Sequence, residues 1–137
     1  MGQSAKSRLE DRIYQIGEVA EMFGLTTRAI RFYEEEGLLK PIRIGRGRRK
    51  FGLEQIARIE MIVNCRKVGI GMETITRLAK VRDTEGDEMF DRMLCEVLRK
   101  RLRDIRQQRA ELDVQFNAVN EWVSEKNCCP TSTEEAA

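Results

Sequence analysis

The sequence predicts a mainly α-helical chain, a small helical head carrying a β-hairpin with one long helix behind it. Three observations lead there. Gly24 to Lys50 reads as a turn, a short amphipathic helix and a basic hairpin. Ile56, Ile59, Ile62, Val63, Ile75 and Leu78 recur at helical rather than alternating spacing. From Asp87 to about Lys126 there is neither proline nor glycine, and apolar residues follow alternating steps of four and three.

The first twelve residues, MGQSAKSRLEDR, are polar and lack the apolar core of a signal peptide, so residues 1–12 read as a disordered lead-in. A helix from Ile16 to Phe23 turns Val19, Ala20 and Phe23 inward and offers its first amides to a phosphate. Gly24 suits the turn that follows, because glycine takes positive φ without steric cost. Thr26 is a good N-cap for the next helix, TRAIRFYEEE, which Gly37 stops. Ala29, Ile30 and Tyr33 share its inner face, while Arg28, Arg31 and Phe32 lie around the other side.

First-turn residues of such a helix reach base edges in a major groove. Arginine matches guanine O6 and N7 there, and phosphates beside them. Two arginines on an exposed helix are more often just a solvated face; the next segment tips the balance. Lys40 to Lys50 holds six Lys or Arg and no acid. Gly45 and Gly47 supply its turn, and Ile42, Ile44 and Phe51 are the apolar residues available to pin it. A helix with groove-facing arginines beside a cationic hairpin is a winged helix-turn-helix, a surface for double-stranded DNA.

Two helices complete the head. LEQIARIEMIVNCRKVGI buries Ile56, Ile59, Ile62 and Val63, with Cys65 as a small hydrophobe among them. Arg58, Arg66 and Lys67 lie toward its exposed side, where they suit further phosphates. Gly69 and Gly71 end it, METITRLAKV follows from Met72, and the polar run Asp83 to Gly86 marks the end of a head covering 13–82.

The long helix, 87–126, carries a seam of Leu98, Leu102, Ile105, Leu112, Phe116, Val119 and Val123, interrupted by Arg109. A single amphipathic helix must bury such a stripe, and the chain offers no second long helix, so the simplest partner is another copy. Residues 127–137 read as a flexible tail.

Composition excludes several functions. Hydrophobic residues make up 41% and charged ones 35%, which suits a soluble chain with a modest core. The net charge of +2 hides a local stripe of +6 in the eleven residues from Lys40, whereas the chain from Glu121 onward is acidic. The absence of histidine removes His-based catalysis and His metal ligation, and no phosphate-binding glycine loop or nucleophile–base pair points to an enzyme. No apolar run is long enough for a membrane span. A cytoplasmic chain is expected, its four cysteines reduced. No cofactor is called for.

The run from Tyr14 to Phe51 closely resembles the N-terminal domain of the MerR family of bacterial transcription regulators. The matching marks are Ile16-Gly17, the run Thr27 to Glu34, Gly37-Leu38-Leu39 and the arginine-rich wing closing on Phe51. The resemblance is close over about residues 13–82 and extends to the long helix in character. It implies DNA contacts from Ile16, Gly17, Thr27, Arg28, Arg31, Phe32, Tyr33, Arg43, Arg46, Arg48, Arg49 and Lys50. It also implies a homodimer whose long helices pair antiparallel, on a pseudo-palindromic operator inside a promoter. RNA polymerase would then be reached indirectly, through twisted and kinked promoter DNA.

The resemblance leaves the effector open. Metal-sensing relatives place one cysteine at the start of the dimer helix and two after it, as Cys95, Cys128 and Cys129 stand here. An antiparallel seam centred near residue 110 or 111 would set Cys95 against about residue 126 of the other subunit. Thiolates there would select a soft metal. Against this, Cys128 and Cys129 are adjacent rather than separated by a loop. An organic effector is the competing reading, although the chain has no room for the separate ligand domain of the drug-binding members. A coiled-coil adaptor without DNA function is the remaining alternative.

Overall fold

The computed structural model describes residues 9, 10, 12–45 and 47–126. The elements run β1 (Tyr14–Gln15), α1 (Ile16–Phe23), α2 (Thr27–Glu35), β2 (Ile42–Ile44), β3 (Arg48–Phe51), α3 (Leu53–Lys67), α4 (Met72–Glu85) and α5 (Asp87–Glu125). The chain divides into two units, the first ending at Cys95 and the second beginning at Glu96.

In the first unit α1 starts with its Glu18 carboxylate accepting the Gln15 N–H at 2.8 Å. It ends at Gly24, whose φ of 62° lets the Leu25 N–H return to the Ala20 carbonyl at 2.9 Å. Thr26 caps α2 as expected, with Oγ1 accepting from the Ala29 N–H at 3.1 Å. Gly45 and Gly47, at φ 65° and 80°, turn the chain between β2 and β3.

The hairpin is part of a three-stranded antiparallel sheet in the order β1-β3-β2, with Tyr14 opposite Phe51 and Arg43 opposite Arg49. Strand β1 was not expected from sequence. It ties the entry of α1 to the wing, and Tyr14 and Phe51 are both buried at that junction. The Tyr14 hydroxyl donates to the Glu10 carbonyl at 3.0 Å, and the Arg12 guanidinium lies 3.9 Å from the Tyr14 ring centre. Glu10 and Arg12, at the end of the expected lead-in, thus touch Tyr14 while staying exposed themselves; residues 1–8 and 11 lie outside the described ones.

The core includes Val19, Ala20, Ile30, Tyr33, Leu38, Leu39, Phe51, Ile56, Ile59, Ile62, Cys65, Ile75 and Leu78, joined by Tyr14, Ile70, Ala79 and Phe90. Phe23 and Val63, expected inside, are half-buried. Ile42 is exposed and Phe51 fully buried, so Phe51 pins the hairpin among the described residues; the side chain of Ile44 lies outside them. The backbone amide of Lys40 donates to Gln55 Oε1 at 2.8 Å, which fixes the start of the wing to α3.

Helix α4 runs beyond the expected end at residue 82. Asp83 is held by Arg58 and the Thr84 hydroxyl donates to the Lys80 carbonyl at 2.9 Å, so the polar residues stay helical. The break is Gly86 alone, at φ 90°. Arg82 bridges it, donating to Asp87 at 2.8 Å with its guanidinium 5.0 Å from the Phe90 ring centre.

Two glycines of the helix-turn-helix should respond oppositely to alanine. Gly24→Ala is expected to cost about 1–2 kcal/mol, because a Cβ meets open space but the backbone is left-handed. Gly17→Ala, inside α1 and equally uncrowded, should be neutral or stabilise by up to about 1 kcal/mol. Urea unfolding of the two variants beside wild type checks both signs.

Candidate nucleic-acid interface

Helix α2 presents two different faces. Ile30 and Tyr33 are buried against the head, whereas Arg28 and Arg31 are exposed and Phe32 is 44% exposed. Tyr33, expected among the DNA contacts, has only 8% of its surface accessible and packs in the core. Thr27 and Ile16 are half-buried and Gly17 is exposed. An open cleft of about 370 Å³ lies beside α2, lined by Thr26, Arg28, Phe32 and Tyr33 together with Arg66 and Met72. It brings Arg66, at the end of α3, to the same depression as Arg28. The sequence offered Arg66 for a phosphate, with Arg58 and Lys67, but did not place it beside Arg28.

The wing arginines are not equivalent. Strands β2 and β3 set Arg43 directly opposite Arg49. Glu34 of α2 reaches between them, with Arg43 Nη2 donating to Oε1 at 2.9 Å and Arg49 Nε donating to Oε2. The Glu34 side chain is 16% exposed. Burial pushes its carboxyl up, but the hydrogen bonds from Arg49 and Arg43 outweigh that and hold it below the ordinary carboxylate value of 4.5. Arg48 is exposed and Lys50 half-buried, and Arg46 lies outside the described residues. Among the described residues Arg28, Arg31, Arg48 and Arg66 have no carboxylate partner, so their charge is uncompensated.

One expected phosphate position is already taken. Arg58 is committed to Asp83, donating through Nη1 at 3.3 Å and through Nη2. At the start of α1 the Glu18 carboxylate occupies the Gln15 amide and also accepts from Arg12 at 3.3 Å. Those two bonds, the Gln15 amide first, hold the Glu18 carboxyl below the ordinary range.

Residues 14–82 match the family model described as MerR HTH family regulatory protein. The chain belongs to the MerR family. Curated relatives from that family are transcriptional regulators. One is TnrA of Bacillus subtilis, 39% identical over 61 residues, which are 44% of this chain and 56% of TnrA. The chain thus spans little more than half the length of that relative. CueR of Escherichia coli O157:H7 is 28% identical over 116 residues, 84% of this chain and 82% of CueR. Among solved structures, HiNmlR superposes with a TM-score of 0.61 at 24% identity, over 77% of this chain and 80% of that one. That protein is described as a MerR family regulator lacking the sensor domain, bound to promoter DNA. At this identity the likeness is one of fold, a winged helix-turn-helix followed by a long helix.

On α5 the expected seam is open. Leu98, Leu102, Leu112, Phe116, Val119 and Val123 are exposed, Leu112 at 61%, and Ile105 is half-buried. Val114 and Trp122, missed by the seam pattern, are exposed apolar residues as well. Cys95 is a free, exposed thiol on α5, and burial pushes the Cys65 thiol up. Cys128 and Cys129 lie outside the described residues. Among the described residues no three Cys, Asp or Glu gather at one point, and no helix is long and apolar enough to cross a membrane.

Glu34→Gln should destabilise the head by about 1 kcal/mol at neutral pH, a figure discounted for the exposure of Arg43. Because the folded carboxyl lies below its unfolded value, the unfolded chain binds the extra proton. The stabilisation is complete above the ordinary carboxylate range and disappears as pH falls through it toward the folded value. Denaturation of wild type and variant across that window should show the two curves converging at acid pH.

Proposed function

We propose that the chain is a transcription regulator that binds double-stranded promoter DNA as a homodimer. The observation that carries this reading is the division of the arginines. Arg28 and Arg31 on α2, Arg48 on the wing and Arg66 across the cleft keep their charge for a polyanion, whereas Arg43, Arg49 and Arg58 hold the head together. Arg28 takes the base-reading role, since it stands in the first turn of α2 beside Thr27. Arg48 and Arg66 take phosphates. The fold shared with a regulator described on promoter DNA supports the same reading.

The exposed seam of α5 supports dimerisation, since a stripe of this length in water favours a second stripe of the same kind. Two heads joined in this way fit a pseudo-palindromic operator. The regulator acts on RNA polymerase through the shared promoter. An effector binds two states of the dimer with different affinity, and that difference supplies the energy for twisting and kinking the DNA. A cytoplasmic location follows from this role.

Genome-wide mapping of bound sites, followed by titration on the recovered operator, tests the reading. Arg28→Ala should cost about 1–3 kcal/mol on the operator and narrow the gap to unrelated DNA. Arg48→Ala should weaken all duplexes alike and flatten the slope of log affinity against log salt by about 0.9. Binding that ignores salt, or equal discrimination with and without Arg28, contradicts the assignment.

A further inference from the structure

Along the seam of α5, from Leu98 to Val123, the charge changes sign in the middle. Between Arg99 and Arg109 the helix carries six bases and one acid, and from Glu111 to Glu125 it carries four acids and no base. The exposed seam runs through both halves. A parallel pair of such helices sets like charge beside like, which is destabilising, whereas an antiparallel pair sets each basic half against an acidic one.

The seam spacing then defines one register. Setting Arg109 of one helix against Leu112 of the other brings Leu98 opposite Val123, Leu102 opposite Val119 and Ile105 opposite Phe116. No apolar seam residue is left over. At the centre stands Arg109, the one charged residue in the apolar series. Arg106 and Asp113 lie seven residues apart, so they flank the seam on the same edge of the helix. In a two-fold antiparallel pair that edge faces its own copy, so a contact from one helix to the other is made twice. Arg106, Arg109 and Asp113 form no ion pair within the described residues. Lys100 and Asp104, by contrast, already pair along the helix at 3.2 Å.

We propose that Asp113 of each helix meets Arg106 and Arg109 of the partner subunit, and that this central charge cluster selects the antiparallel register and a second copy as partner. The inference rests on the homodimer reading above. An apolar residue in place of Arg109 would strengthen the seam but leave a slip of one heptad, or a foreign amphipathic helix, less strongly rejected. The cluster makes each such mispairing bury a charge without its counterpart.

The test uses two full-length charge-reversed chains. One is Asp113→Lys; the other combines Arg106→Glu with Arg109→Glu. Each homodimer then has like charges at both central contacts, and its dissociation constant should rise on the order of tenfold or more. Mixed together they restore opposite charges at both contacts, so the heterodimer should form in preference to either homodimer. Sedimentation gives the masses, and Trp122, the single tryptophan of the chain and a neighbour of the seam, should shift its emission to the blue as pairs form. If wild type is monomeric, the homodimer reading itself fails. If wild type is dimeric, two outcomes overturn the proposal: both variants dimerise as well as wild type and mix at random, or the mixture stays as weak as its components.

Discussion

Two arginines face each other across the wing, and Glu34 makes that arrangement tolerable. Like charges directly opposite on neighbouring strands are destabilising. Here Arg43 and Arg49 occupy opposed positions of β2 and β3, on a hairpin that carries further bases and no acid of its own. The carboxylate comes from the last turn of α2, and its two oxygens take one arginine each. The same contact therefore offsets repulsion within the wing and fastens the wing to α2. Burial of Phe51 at the foot of β3 and the bond from Lys40 to Gln55 hold the other end of the hairpin. The wing and α2 are thereby presented as one surface.

This division of labour determines which charges remain for a ligand. Arg43, Arg49, Arg58 and Arg82 are spent on Glu34, Asp83 and Asp87. Arg28, Arg31, Arg48 and Arg66 are left exposed with no acid partner among the described residues, and Arg28 and Arg66 line one cleft beside α2. A polyanion meeting that face displaces water and counterions instead of breaking ion pairs, so the head need not loosen in order to bind.

Much of the head was legible because its signals are local. Thr26 beside TRAIRFYEEE, Gly24 before it and the Gly45–Gly47 turn each act within a few residues, and the structure has α2 and the hairpin where those signals put them. What was hidden depends on distant partners. Strand β1 is two residues long and has no periodicity to read; it exists because Tyr14 and Gln15 pair with Phe51 and Lys50. Asp83 and Thr84 look like a loop in sequence, yet Arg58, 25 positions earlier, keeps Asp83 in the helix. Nor does sequence separate Arg48 from Arg49. The two differ only in that Arg49 points at a carboxylate 15 positions back, while Arg48 opposes Ile44 and stays exposed.

The central claim is that Glu34 makes α2 and the wing act as a single docking surface. A double-mutant cycle on operator affinity tests it most directly, using Glu34→Gln, Arg43→Ala and the two combined. The account predicts a coupling of about 0.5–1.5 kcal/mol, because once the Glu34 carboxylate is gone the loss of Arg43 does little more. Strictly additive losses would mean that Arg43 and Glu34 reach the DNA independently, and would contradict it.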